Sequence, residues 1–151
     1  MATVLWQDVE TGALDRCRLE AGPSGLRLSG VVLTPAHGTP LDVRYLVEAD
    51  RDGLTRRVEL ELDGGAIRRV LLADGAGHWA WEGGPELAEV AGSLDVDLTV
   101  TPATNTLPIR RLAADRWRFA TGDFQAELLV DPDGLVLDYG GLFRSLAYRP
   151  D

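Results

Sequence analysis

Lysine is absent from this chain: all 15 basic residues among its 151 are arginine, against 24 acidic ones, for a formal net charge of -9. That deficit argues against non-specific nucleic-acid binding, which needs cations to displace phosphate counterions. It argues equally against a polybasic dock on an anionic membrane. An all-arginine set fits the codon usage of a high-GC, bacterial genome, and its functional counterpart is bidentate recognition of anionic groups. Cysteine occurs once, as Cys17, which excludes an intramolecular disulfide and fits a reducing compartment. With only His37 and His78 as imidazoles beside that single thiol, no structural zinc site is expected. No apolar run approaches the roughly 20 residues of a membrane-spanning helix. The first ten residues, M-A-T-V-L-W-Q-D-V-E, lack a basic start and a long apolar core, so no secretory leader is expected. The expected location is the cytoplasm, without stable membrane insertion. G-x-S-x-G is missing, so no nucleophile elbow is in view. Gly83-Gly84 and Gly140-Gly141 read as turns or strand kinks rather than phosphate loops, and no cofactor is expected.

What the chain does have is period-two alternation. Val58, Leu60 and Leu62 alternate with Arg57, Glu59 and Glu61, so one face meets a core and the other water. Val43, Tyr45 and Val47 repeat the pattern, as do Leu26 and Leu28. Asp52-Gly53, Asp63-Gly64, Asp74-Gly75 and Asp133-Gly134 punctuate apolar runs and favour tight turns, because glycine accepts a positive φ and aspartate tolerates it. Strands are predicted at 3–9, 13–21, 25–34, 41–49, 55–62, 66–73, 77–82, 115–121, 124–131, 135–139 and 143–148. A loop is predicted from Pro35 to Pro40. Residues 85–91 and 106–112 are the two candidates for short helices, the second capped by Thr104 or Asn105. The length suits a single domain, 1–151. So many strands imply an antiparallel meander curled into a barrel or half-barrel around a short helix, with a β-sandwich as the alternative.

Residues 92–112, G-S-L-D-V-D-L-T-V-T-P-A-T-N-T-L-P-I-R-R-L, concentrate the polar chemistry. Alternation over 94–101 predicts a strand that places Asp95 and Asp97 on one face, their α-carbons roughly 6.5–7 Å apart. Two carboxylates so close need cations or donors, and Arg110 and Arg111 follow just beyond the turn. Thr101, Thr104, Asn105 and Thr106 can bond their own backbone, and Pro102 and Pro108 stiffen both ends. Trp79 and Trp81 share a predicted strand face, as do Trp117 and Phe119. Such pairs build a core, or line a cavity that stacks on sugar rings or holds acyl chains.

The run D-V-D-L-T-V-T-P-A-T-N-T-L-P-I-R-R-L resembles the signature of a bacterial family labelled putative glycolipid-binding, formerly a domain of unknown function. Trp6, the L-A-D-G-A-G-H-W of residues 72–79, and Tyr148-Arg149 resemble the same family. At Ser93, where many relatives carry Cys, the chain departs from the pattern, so a required thiol is not expected. The resemblance implies a β-rich, barrel-like fold similar to lipoprotein carriers that hold acyl chains, and no established activity.

Three function classes follow. The first is non-catalytic binding of a lipid or glycolipid in a barrel-like cavity, with Trp79, Trp81, Asp95, Asp97, Asn105, Arg110 and Arg111 as ligand-binding candidates. The second is a hydrolase using the Asp95/Asp97 pair, whose spacing overlaps the roughly 5–9.5 Å range of glycosidase carboxylates. Neighbouring arginines would hold both carboxylates ionised and so oppose a general acid. The third is a ligand-free structural or interaction module.

Overall fold

Antiparallel hairpins build most of the molecule, four of them turning at the Asp-Gly pairs. The structure, a computed structural model, describes residues 1–36, 38–111, 116–121 and 124–150. Seven strands follow one another as neighbours: β1 (Ala2–Asp8), β2 (Leu14–Gly22), β3 (Gly25–Ala36), β4 (Thr39–Asp50), β5 (Thr55–Leu62), β6 (Ile67–Ala73) and β7 (Trp79–Trp81). Four more form a second meander: β8 (Arg116–Thr121), β9 (Phe124–Val130), β10 (Val136–Tyr139) and β11 (Phe143–Arg149). Antiparallel pairing of β1 with β11 joins the two into one 11-stranded sheet, ordered β7-β6-β5-β4-β3-β2-β1-β11-β10-β9-β8. A twisted sheet of this width curls to bury one face. The sheet is not closed: β7 and β8 remain as its edges, so the architecture is a curled meander rather than a complete barrel.

The turns behave as their residues dictate. Gly53, Gly64, Gly75 and Gly134 all have positive φ, and Gly134 donates to the Asp131 carbonyl at 2.9 Å. The predicted loop from Pro35 to Pro40 is instead the end of the β3–β4 ladder, with Pro35 opposite Pro40 and Ala36 opposite Thr39. Proline is tolerated there because the ladder is ending and needs few further N–H donors. His37 and Leu112 lie outside the described residues, as do the side chains of Trp117 and Phe119.

Alternation selects the inner face. Val4, Cys17, Gly30, Tyr45 and Leu60 are successive cross-strand partners on β1 to β5. Trp6, Asp15, Val32, Val43 and Leu62 make the next row. Trp6 is fully buried, and its indole N–H donates to the Val136 carbonyl at 3.0 Å, tying β1 to the second meander.

Among the described residues, the connection from β7 to β8 is the long one that does not pair its flanking strands. It holds a 3-10 turn at Ala88–Val90, a second at Pro102–Asn105, and α1 (Thr106–Arg111). Ala103, Leu107 and Ile109 are buried in the same core cluster as the inner rows, so this segment covers the concave face. Residues 94–101 are not a strand. Val96 and Leu98 are half-buried against the core, whereas Leu94 and Val100 are exposed. The segment lies on the sheet rather than joining its edge, and two of its amides bond within it. Leu98 N–H donates to Thr104 Oγ1, and Thr101 N–H to the Leu98 carbonyl.

Candidate functional site

The covering segment is built from short local bonds. Thr101 caps the turn that follows it: its Oγ1 accepts from the Ala103 N–H at 3.1 Å, with Pro102 in the first turn. The cap is therefore Thr101, not Thr104 or Asn105, because the helical path begins four residues before α1. Asn105 secures the same turn, its Nδ2 donating to the Pro102 carbonyl at 3.3 Å. Arg111 returns to Asp95 in a fork, Nη1 to Oδ1 at 2.7 Å and Nη2 to Oδ2 at 2.6 Å. The bond to Asp95 pushes the Arg111 guanidinium above its ordinary range. A planar guanidinium facing a carboxylate is a strong pairing geometry, and it closes the segment at its base.

The other expected partners separate. Asp97 is exposed, and its charge acts on Tyr139, whose phenol is raised by burial first and by Asp97 second. Arg110 donates to the Asp133 carbonyl at 2.5 Å and lies 3.6 Å from its carboxylate. The expected four-group cluster therefore keeps one pair, Asp95 with Arg111, while Arg110 turns to Asp133 and Asp97 is exposed on a segment that is not a strand. Arg110 and Arg111 do meet at a cleft of about 190 Å³, with Asp50, Asp52, Gly22 and Gly25 on its wall. Trp79 is core, its indole N–H donating to the Ser93 carbonyl at 2.7 Å, whereas Trp81 at the short edge strand is 37% exposed. A cleft of about 390 Å³ lies beside Trp79, rimmed by Asp74, His78 and Glu86. Asp74 and His78 are 2.6 Å apart. Backbone donation from Ala76 and the bond to His78 hold the Asp74 carboxyl down at about 2. The seven candidate residues thus lie in separate places rather than in one pocket. Among the described residues, no group of three His, Cys, Asp or Glu side chains could hold a metal ion. No helix among them is long and apolar enough to cross a membrane.

A second polar centre lies beneath the segment. Asp15, on the inner row of β2, is 2% exposed. Thr101 Oγ1 donates to its Oδ2 at 2.5 Å, and the Tyr45 hydroxyl donates to the same oxygen at 3.1 Å. Tyr45 stands on β4, two strands away, and reaches Asp15 by lying across Gly30 of β3. A Cβ at Gly30 would fall 2.3 Å from the Tyr45 hydroxyl oxygen, so only glycine leaves room for this reach. Burial pushes the Asp15 carboxyl up to about 7, against the opposing pull of the Thr101 and Tyr45 bonds. Burial likewise raises the thiol of Cys17 and the phenol of Tyr45. Sequence reasoning passed over this cluster. Its one local signal is a carboxylate in the inward set Ala13, Asp15, Cys17 and Leu19 of an otherwise regular alternation.

The fold is shared with a crystal structure, at 1.80 Å, of a DUF1089 family protein from Pseudomonas aeruginosa. That protein is 30% identical, with a TM-score of 0.75 over 89% of this chain and 92% of its own. No curated protein matches this sequence. The family described as "Putative glycolipid-binding" matches residues 3–116, most of the chain, and the protein belongs to that family.

Proposed function

We propose that this protein binds a lipid or glycolipid without chemical turnover. In this reading the acyl portion rests on the concave face, and the headgroup lies at the rim beside Arg110 and Arg111. The observation that carries the reading is how the concave face is covered. A curled sheet with open edges has its apolar inner rows capped by one compact segment instead of a second sheet. The family description supports the same ligand class. The forked Asp95–Arg111 pair suits a sugar headgroup, because together its groups donate and accept hydrogen bonds without net charge. Trp79 remains structural in this reading. Hydrolysis by Asp95 and Asp97 is not favoured: Arg111 occupies both Asp95 oxygens, and Asp97 is exposed outside that fork.

Native mass spectrometry tests the reading. After incubation with a panel of free fatty acid, phospholipid and monoglycosyl diacylglycerol, one lipid mass per chain is expected to survive desolvation. Bare protein across the whole panel would contradict it and favour the interaction-module alternative.

A further inference from the structure

The hydrogen bonds of residues 95–111 are mostly internal, while Ala103, Leu107 and Ile109 pack against the sheet's core. Asp95–Arg111 closes the base, and the Thr101–Ala103, Leu98–Thr104 and Asn105–Pro102 bonds hold the interior. Among the described residues, no backbone hydrogen bond joins 95–111 to a strand; the last such link is Thr55 N–H to the Leu94 carbonyl. At the base, Arg110 and Arg111 reach the carbonyls of Asp133 and Gly53 in turns. Over the concave face itself, the polar attachment is Thr101 to Asp15 and Tyr45. The interface is also imperfect. The hydroxyls of Thr55 on the sheet and Thr106 on the segment are fully buried without a hydrogen-bond partner among the described residues. Each such group costs free energy that exposure to water would recover.

We propose that residues 95–111 are a displaceable lid on the concave face, latched by the Asp15–Thr101–Tyr45 cluster, and that ionisation of the latch carboxyl opens the face to an acyl chain. The proposal rests on the lipid-binding reading above and adds its control. Asp15 is faced by Cys17 of its own strand, Tyr45 of β4 and Thr101 of the lid; its cross-strand neighbours Trp6 and Val32 carry no charge. No cation is among these groups. Ionised and closed, Asp15 is a buried carboxylate held only by two hydroxyls. Lifting the lid admits water to it, so alkaline conditions favour the open form and acid the closed one. Burial raises the carboxyl of the closed form to about 7, so opening grows as pH rises toward that value and levels off above it.

The experiment measures two quantities on the whole chain at pH 5.5 and 8.5. One is amide hydrogen exchange over 102–111, corrected for its intrinsic pH dependence. The other is uptake of the uncharged apolar dye N-phenyl-1-naphthylamine. Lid opening and dye uptake are both expected to rise roughly tenfold or more with pH, and Asp15→Asn is expected to flatten both. Tyr45→Phe keeps the ring but removes one donor to the carboxylate and one contact to Thr101, so the lid is expected to open further at a given pH. This second variant serves if Asp15→Asn does not fold. Exchange that does not respond to pH, or responds equally in both variants, overturns the latch. Exchange that responds as expected without dye uptake at either pH supports the latch and overturns the lipid-binding reading.

Discussion

Two buried aspartates are held by different sets of donors. Asp131, 5% exposed, accepts from the backbone N–H groups of Asp133 and Leu135 and from the Tyr148 hydroxyl at 2.7 Å. Burial, and then its bond to Asp131, push the Tyr148 phenol up to about 12. Asp15 has two hydroxyls and no backbone donor, and burial dominates. The consequence for stability has a definite sign. The folded carboxyl titrates at about 7 and the unfolded one at 3.8, so between these values the folded state holds the extra proton. Its contribution is fully present below about pH 4 and is lost as pH rises through 7, on the order of 4 kcal/mol in all. Asp15→Asn cannot ionise. Urea melts at pH 4.5 and 8 are expected to show the variant gaining a few kcal/mol on the wild type between the two. Parallel pH profiles would contradict the assignment.

At the scale of the element, residues 92–112 are specified by pairs that close short loops. Asp95 and Arg111 are about a quarter exposed, 21% and 26% for their side chains, so their fork is screened less than a surface ion pair. Removing either partner is expected to cost about 1–3 kcal/mol. A double-mutant cycle of Asp95→Ala with Arg111→Ala should show coupling, whereas Asp97→Ala should cost under about 0.5 kcal/mol. Additive losses at Asp95 and Arg111, measured by denaturant melts, would return that pair to an ordinary solvated surface. This element also shows where the sequence was legible. Strands β1 to β7 fall close to their predicted positions, because alternation and Asp-Gly turns are local signals. The helix at 106–111 was legible from Pro108 and the run of bonding side chains before it. The strand over 94–101 was not there, because an extended chain lying on a sheet alternates much as a strand does. Local spacing could not pair Thr101 with Asp15, 86 positions away, or show that Gly30 makes room for Tyr45.

At the scale of the molecule, the two meanders leave edges at β7 and β8, and the chain between those edges doubles back over the concave face. One segment therefore serves as a connection, as a core layer through Ala103, Leu107 and Ile109, and as a cover. The net charge of -9 disfavours an anionic ligand relative to an uncharged or zwitterionic one. The central claim is that the concave face is the ligand site beneath that cover. Photolabelling with a diazirine-bearing acyl probe, followed by peptide mapping, tests it most directly. The account predicts label on inner-row side chains such as Trp6, Leu28 and Val47 and on Leu107 of the cover. Label confined to outward-facing side chains such as Leu33, Leu129 and Leu146, or no label at saturating probe, would contradict it.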